Sequence, residues 1–470
     1  MYALQHCHPN KLHLFCFPYN NLLFIYTSLE CNVDKLDKLF NVLSHTSATL
    51  KELSIQHSWS SEDINPAIPF KTVLSTCRNL ESFEYRDLAK ENIVGELAGN
   101  LNSDYHLTTR LTKLTLRLGR VDASDLSQIL SACSYQYGQL RHLFVSVCEP
   151  TCIGISAVQD YCKNLETLSF NTTFFDEEIY NGNDDNVHDI SNNKSEQQIV
   201  PMSTTELRQA ALSVEQPQKY ASFLIHHSTT IQSLKLDAMH LSFEDNHSDY
   251  GGSSPLHTIP SLNALRSLVI YHKNAEEVLS DSAVSALIKK SPNLRWLHFN
   301  SCMIWGKQII RAIADLHRLQ KIDMWGCFID EKDITTLFDT IVSKGEQNSS
   351  LEKVIFMAAS GCDLNAVVER LPDIVTLQHV VLSQIQNGPQ ESSMIKFCKK
   401  LQSHLHIRVI SIDSMFCMNN EILEHLARIK NLKRLELEEL YGITQDGLRA
   451  FDNTPVELTI EYCPRCISSY

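Results

Sequence analysis

The sequence predicts an α/β solenoid, one parallel β-sheet laid down strand by strand with a helix returning the chain after each strand. Three observations predict it. An apolar motif recurs along the chain, its spacing is nearly constant, and the gaps between copies carry apolar stripes at helical periodicity. The motif is plainest between Asn293 and Ile329. There Leu294, Leu297, Phe299, Cys302 and Ile304 are followed 25 residues on by Leu319, Ile322, Met324, Cys327 and Ile329.

Both copies read L-x-x-L-x-L-x-x-N/C-x-L, the pattern of a leucine-rich repeat. With the first leucine as register mark, the series runs Leu12, Leu50, Leu80, Leu111, Leu140, Leu165, Ile231, Leu265, Leu294, Leu319, Leu351, Leu377, Ile407 and Leu432, with a degenerate last unit at Pro455. Most steps fall between 23 and 32 residues, a regularity that scattered leucines would not keep. Residues 1–470 are therefore expected to form a single leucine-rich-repeat solenoid of about 15 units. Its expected shape is a ribonuclease-inhibitor-like horseshoe, with the parallel sheet on the concave face and helices on the convex face.

The helices follow from spacing. Leu126, Ile129, Leu130 and Cys133 form one stripe, and Ile309, Ile310, Ile313 and Leu316 another. Ile334, Leu337, Phe338 and Ile341 form a third, opened by Asp330 as an N-cap, and Ile422, Leu423, Leu426 and Ile429 a fourth. One step breaks the rule, because Leu165 to Ile231 spans 66 residues. Residues 176–218 are mostly polar and acidic, as in Asp176-Glu177-Glu178 and Asn183-Asp184-Asp185, and lack the apolar content to offset ordering. They read as a flexible acidic insertion within the solenoid, either an unselected loop or a segment that binds a partner.

The formal net charge of −14 argues against a general binder of nucleic acid or anionic membrane. The most apolar stretch, Leu12 to Leu29, is broken by Pro18, Asn20 and Asn21 and makes a poor membrane span or signal peptide. Fifteen cysteines without a paired framework suit reduced thiols and a cytoplasmic or nuclear location. Cys148, Cys302, Cys327 and Cys463 all take the ninth position of their units, and Cys77 and Cys162 stand three residues before a mark leucine. That periodicity reads as packing beside backbone amides. Cys463 and Cys466 have C-x-x-C spacing but form only half a zinc site, so no metal and no cofactor is expected. Histidines such as His404 and His406 fit no metal-ligand spacing and read as solvated or capping residues. With no P-loop, nucleophile elbow or dinucleotide glycine motif, the chain is not expected to be an enzyme.

In L-x-x-L-x-L-x the residues at positions 3, 5 and 7 face away from the leucine core. Reading them unit by unit yields a candidate protein-binding face. It begins basic with Lys113 and Arg117 beside Phe144, is aromatic at its centre with Tyr271, Trp296, His298, Trp325 and Met357, and ends acidic around Arg434 and Glu436. Exposed Trp, Tyr and Met are the stuff of interaction hot spots, although a one-residue slip in register would put the same rings in the core.

The openings Cys162-Lys163-Asn164-Leu165 and Ser291-Pro292-Asn293-Leu294, the ninth-position cysteines and Gly442-Ile443-Thr444 before Gly447-Leu448 resemble cysteine-containing leucine-rich repeats. Such repeats are typical of F-box/leucine-rich-repeat substrate receptors of cullin-based ubiquitin ligases. The resemblance implies that a protein substrate binds the concave face and is passed on for ubiquitin-dependent catabolism. It implies a ligase adaptor and cullin as partners only if an F-box lies upstream. Residues 1–50 contain no F-box-like opening, and the expectation is a truncated sequence or a relative without the box. The alternatives are a stand-alone scaffold or inhibitor, and, ranked below it, a Ran-type GTPase activator.

Overall fold

A computed structural model describes residues 11–17, 22–26, 43–44, 48, 50–57, 70–87, 110–118, 123–134, 139–147, 158, 161–162, 164–172, 207–212, 217–237, 258–272, 279–304, 306–357, 364–383, 388–461 and 463. The array, read from sequence as one solenoid, resolves into two compact units, residues 1–219 and 220–470.

In the first unit a parallel ladder runs through β3 (Glu52–His57), β4 (Ser82–Asp87), β5 (Lys113–Leu118), β6 (His142–Val147), β7 (Thr167–Thr172) and β8 (Gln209–Leu212). From β4 to β7 each strand starts two residues after its mark leucine, which turns positions 1, 4 and 6 inward. Leu80, Phe83 and Tyr85 are buried, and so are Leu111, Leu114 and Leu116, and Leu140, Leu143 and Val145. Helices α1 (Phe70–Thr76) and α2 (Ala123–Ser134) add Val73 and Leu74, then Leu126, Ile129, Leu130 and Cys133, to that core.

Two features of this unit differ from the sequence reading. Strand β1 (Lys11–Phe17) pairs in parallel with β3 so that Leu12 lies opposite Leu53, which makes Leu12 a fourth-position residue and not a register mark. Strand β2 (Leu22–Tyr26) runs antiparallel on β1. Strand β8 lies inside the stretch expected to be a flexible insertion, and Leu207, Ala210 and Leu212 are buried in the positions of a repeat. The unit was missed because alanine replaces its second leucine and polar sequence surrounds it. Pro217 and Gln218 then open helix α3 (Pro217–His226), so 207–212 and 217–218 are structured, and the rest of 176–218 lies outside the described residues.

The second unit continues the pattern through β9 (Ser233–Asp237), β10 (Ser267–Tyr271), β11 (Trp296–Asn300), β13 (Lys321–Trp325), β15 (Lys353–Met357), β16 (His379–Ser383), β17 (Val409–Asp413), β18 (Arg434–Glu438) and β19 (Glu457–Glu461), parallel and in register. The short strands β12 (Met303–Ile304) and β14 (Phe328–Ile329) form a second ladder just beyond β11 and β13. Between them run α4 (Asp281–Lys289), α5 (Lys307–Ala314), α6 (Glu331–Asn348), α7 (Leu364–Arg370), α8 (Glu391–Leu401), α9 (Asn420–Ala427) and α10 (Gln445–Leu448). The helices cover the leucine side of the sheet, as the Phe338 ring of α6 shows by meeting Phe356 of β15 at 6.0 Å. Each unit is thus an α/β leucine-rich-repeat solenoid.

The repeats are tied by polar groups that the sequence pattern carries unnoticed. Asn79 and Asn293, each one residue before a mark leucine, donate through Nδ2 to Ala48 O and Asn263 O at 2.9 and 2.8 Å, a link to the preceding repeat. Asp330 caps α6 by accepting from Lys332 N at 2.8 Å. Asp281 reaches beyond its own helix, accepting from Gln308 N and Ile309 N of α5 at 3.1 and 2.7 Å and satisfying two amides that helix geometry leaves open. Gly306 makes room for that carboxylate, since a Cβ there would fall 2.1 Å from Asp281 Cγ. After β11, β13, β17 and β18 the eighth residue of the unit turns left-handed, at Ser301, Gly326, Ser414 and Glu439. There Ser301 N donates to Trp325 O and Gly326 N to Met357 O, both at 2.7 Å, bonds that offset the strain of positive φ.

The ninth-position thiols follow that turn. Cys302 Sγ donates to Asn300 O at 3.2 Å, and Cys327 Sγ to Phe299 O at 3.3 Å. The thiols therefore donate to backbone carbonyls, and backbone groups of Asn300 and His272 lie beside Cys302. Burial pushes Cys302 well above the ordinary thiol range. Cys463 is likewise buried, while Cys148 and Cys466 lie outside the described residues.

Candidate functional site

The open side of the sheet, opposite the helices, carries positions 3, 5 and 7 of every strand. In the first unit Lys113 is exposed at the start of β5, and Arg117 lies 5.6 Å above the Phe144 ring of β6 with its Nε 3.7 Å from Glu84 Oε1. The basic start of the face is therefore offset by an acid on β4 that a strand-by-strand reading passed over.

In the second unit the register sorts the face into three rows across the strands. The position-3 row reads Ser267, Trp296, Lys321, Lys353, His379, Val409, Arg434 and Glu457. The middle row reads Val269, His298, Asp323, Ile355, Val381, Ser411, Glu436 and Thr459, and the position-7 row Tyr271, Asn300, Trp325, Met357, Ser383, Asp413, Glu438 and Glu461. From β13 onward Lys321, Lys353 and Arg434 lie along one edge of the face, and three of the six carboxylates, Asp413, Glu438 and Glu461, along the other. Charge is thus divided across the strands as well as along the chain.

The rows also part the aromatic centre that the sequence reading had grouped. Trp296 and Trp325 are 36% and 47% exposed but stand at opposite ends of neighbouring strands, Trp296 beside Lys321 and Trp325 beside Asn300 and Met357. Lys321 Nζ sits 4.3 Å from the Trp296 ring centroid, a cation–π contact, and His298 meets the same ring edge-on. Tyr271 lies under Lys235 Nζ at 4.5 Å.

Between the two tryptophans the middle row carries a buried charge. Asp323 Oδ2 stands 2.9 Å from His298 Nδ1 and 3.2 Å from Lys321 Nζ, with only 9% of its side chain exposed. Burial raises its carboxyl, but His298 and then Lys321 outweigh that and hold it below the ordinary carboxylate range. Further along, Arg434 Nε pairs with Glu436 Oε1 at 2.9 Å. Lys353 has no ion-pair partner among the described residues; burial and then Lys321 lower its pKa. Next to it His379 is held neutral, its pKa pushed down to about 4 by burial and by Lys353. On the opposite edge burial, Asp413, Glu461 and Glu439 raise Glu438.

The unit-by-unit reading of the face includes Lys353 but not His379, nor the aromatic pair Phe416 and Tyr441, 84% and 57% exposed at the tenth positions of neighbouring units. Aligning the units in columns would have found all three. His404, read as solvated or capping, is a buried cap: its Nδ1 accepts from Ile407 N at 3.1 Å while Nε2 bonds Ile374 O at 3.0 Å. Among the described residues no three His, Cys, Asp or Glu side chains converge to hold a metal ion, and no helix is long and apolar enough to cross a membrane.

No family model and no curated protein matches the chain. Among solved structures it is similar to a chain of the Rad7 and Elc1 complex of yeast, at 12% identity over 90% of this chain and 87% of that one, with a TM-score of 0.39. It is also similar to an internalin, InlF, of Listeria monocytogenes, at 13% identity over 88% of this chain and 81% of that one, with a TM-score of 0.36. The parallel strand ladder and its buried register define the fold.

Proposed function

We propose that the chain is a protein-recognition scaffold whose open strand face in the second unit grips a partner. One observation carries the reading: Trp296 and Trp325 stand 36% and 47% exposed on a face whose neighbouring core residues Leu297, Phe299, Ile322 and Met324 are fully buried. A solvated face has no use for large rings unless something covers them, and tryptophan is enriched where a partner does. Rows of unlike charge on either side add orientation, because a partner offered in the wrong sense meets like charge.

The finer reading is delivery of the bound protein to a ubiquitin ligase, as the F-box/leucine-rich-repeat resemblance implies. A stand-alone scaffold or inhibitor is the second reading. Purification of the tagged full-length chain from its own cells separates them. An adaptor and cullin in stoichiometric amount support ligase delivery, their absence with another protein retained supports the scaffold, and a small GTPase would point to the Ran-type alternative. In each case Trp296→Ala with Trp325→Ala releases the partner. Retention of the partner by the folded double variant would overturn the assignment of the face.

A further inference from the structure

Lys321, Lys353 and His379 occupy the same position of three successive strands, opposite one another in register and about 4.8 Å apart between strands. Like charges placed directly opposite on a sheet destabilise it, and Lys321 and Lys353 are such a pair. Their neighbours relieve them unequally. Lys321 has Asp323 at 3.2 Å and the Trp296 ring at 4.3 Å. Glu436 faces Lys353 and His379 from two strands beyond His379 but is bonded to Arg434 at 2.9 Å. Lys353 has no carboxylate of its own among the described residues, and His379 Nε2 is a buried ring nitrogen without a hydrogen-bond partner. A half-buried ammonium beside an unsatisfied imidazole, both on the open face, is the arrangement that a bound oxyanion completes.

We propose that Lys353 and His379, with Lys321 beside them, form a subsite for an oxyanion carried by a side chain of the bound protein, a carboxylate or a phosphate. The anion accepts from the Lys353 ammonium and from the Lys321 ammonium at its edge. His379 turns its ring on binding to bring the buried Nε2 to the open face as a donor, taking up a proton or changing tautomer. The subsite rests on the reading of the face as a protein-binding surface and names what the partner must present there, an acidic group seated next to an apolar one that covers Trp296.

The test is read on the isolated full-length chain by the His379 ring resonances. Inorganic phosphate is titrated in, with chloride at matched ionic strength as control, followed by two short peptides that differ only in glutamate or phosphoserine at one position. The expected result is a saturable shift of the His379 ring with phosphate and a rise of its titration midpoint from about 4. Lys353→Met weakens the affinity on the order of tenfold or more, the worth of a hydrogen bond to a charged group. Lys396→Met, on helix α8, leaves it unchanged. Preference for the phosphoserine peptide identifies a phosphorylated partner, and equal binding identifies an unmodified acidic one. The same shift in Lys353→Met as in the native chain, or with chloride alone, means an adventitious ion only and overturns the proposal. Failure here with partner capture still lost in the double tryptophan variant sinks the subsite alone, whereas a saturable anion site with capture intact in that variant sinks the face.

Discussion

Met324 and Trp325 are adjacent in β13 and point to opposite sides of the sheet, Met324 fully buried and Trp325 47% exposed. Replacing each in turn by glutamine measures the register directly. A tryptophan buries up to about 250 Å² when fully covered, so roughly half of that is at stake at position 325. At about 25 cal/mol per Å², reduced for a compact unfolded chain, Trp325→Gln costs about 2 kcal/mol. Met324→Gln loses the transfer energy of the thioether, about 2 to 5 kcal/mol, and buries an amide without partners for about 1 to 3 kcal/mol more. Urea unfolding followed by circular dichroism, which needs no tryptophan signal, should place the Met324 variant at least about 1 kcal/mol below the Trp325 variant. A single-residue slip exchanges the two faces, so the reverse order would refute the assignment of the open face and everything built on it.

Three further outcomes follow from the same geometry. Gly306→Ala drives a methyl into the Asp281 carboxylate, and loss of that inter-repeat cap should cost about 1 to 2 kcal/mol in the same assay; Asp281→Ala in the Gly306→Ala background should then cost little more. Stability should fall with acid. His379 has its folded pKa lowered from 6.5 to about 4, so the unfolded chain binds the extra proton and stability drains away as pH falls from 6.5 towards 4. Asp323 acts in the same sense, its lowered carboxyl adding stability above the ordinary carboxylate range that is lost as pH falls through its folded value; His379→Gln and Asp323→Asn should each flatten the unfolding profile across acid pH. Finally, Cys302, Cys327 and Cys398 are buried thiols, and burial raises the pKa of Cys302 and Cys398. All three should resist alkylation at neutral pH until denaturant is added; rapid native labelling of Cys302 or Cys327 would contradict the packing described for the turn, and that of Cys398 the burial of helix α8 against the sheet.

The repeat was legible in the chain because its core positions obey a local rule. A strand that begins two residues after a leucine must turn positions 1, 4 and 6 to one side, and the apolar stripes of the gaps must meet them there. Ile407, a weak match on sequence, is fully buried in the place of a leucine. Where the rule is diluted, reading fails. Leu207, Ala210 and Leu212 were lost because an alanine and polar surroundings hide the triplet, and Leu12 was misplaced because any leucine in an apolar run can pass for a mark.

What the sequence determined by itself is therefore the one-dimensional part: which residues enter the core, which stay on the open face, and that a parallel α/β solenoid results. Neighbourhood on that face was decided only by tertiary structure. Residues about 25 to 30 positions apart in sequence become neighbours about 4.8 Å apart once the strands lie in register, and a list read along the chain cannot show it. That is why Trp296 and Trp325 part to opposite edges, why Asp323 comes to rest between His298 and Lys321, and why Lys353 and His379 meet with no carboxylate between them.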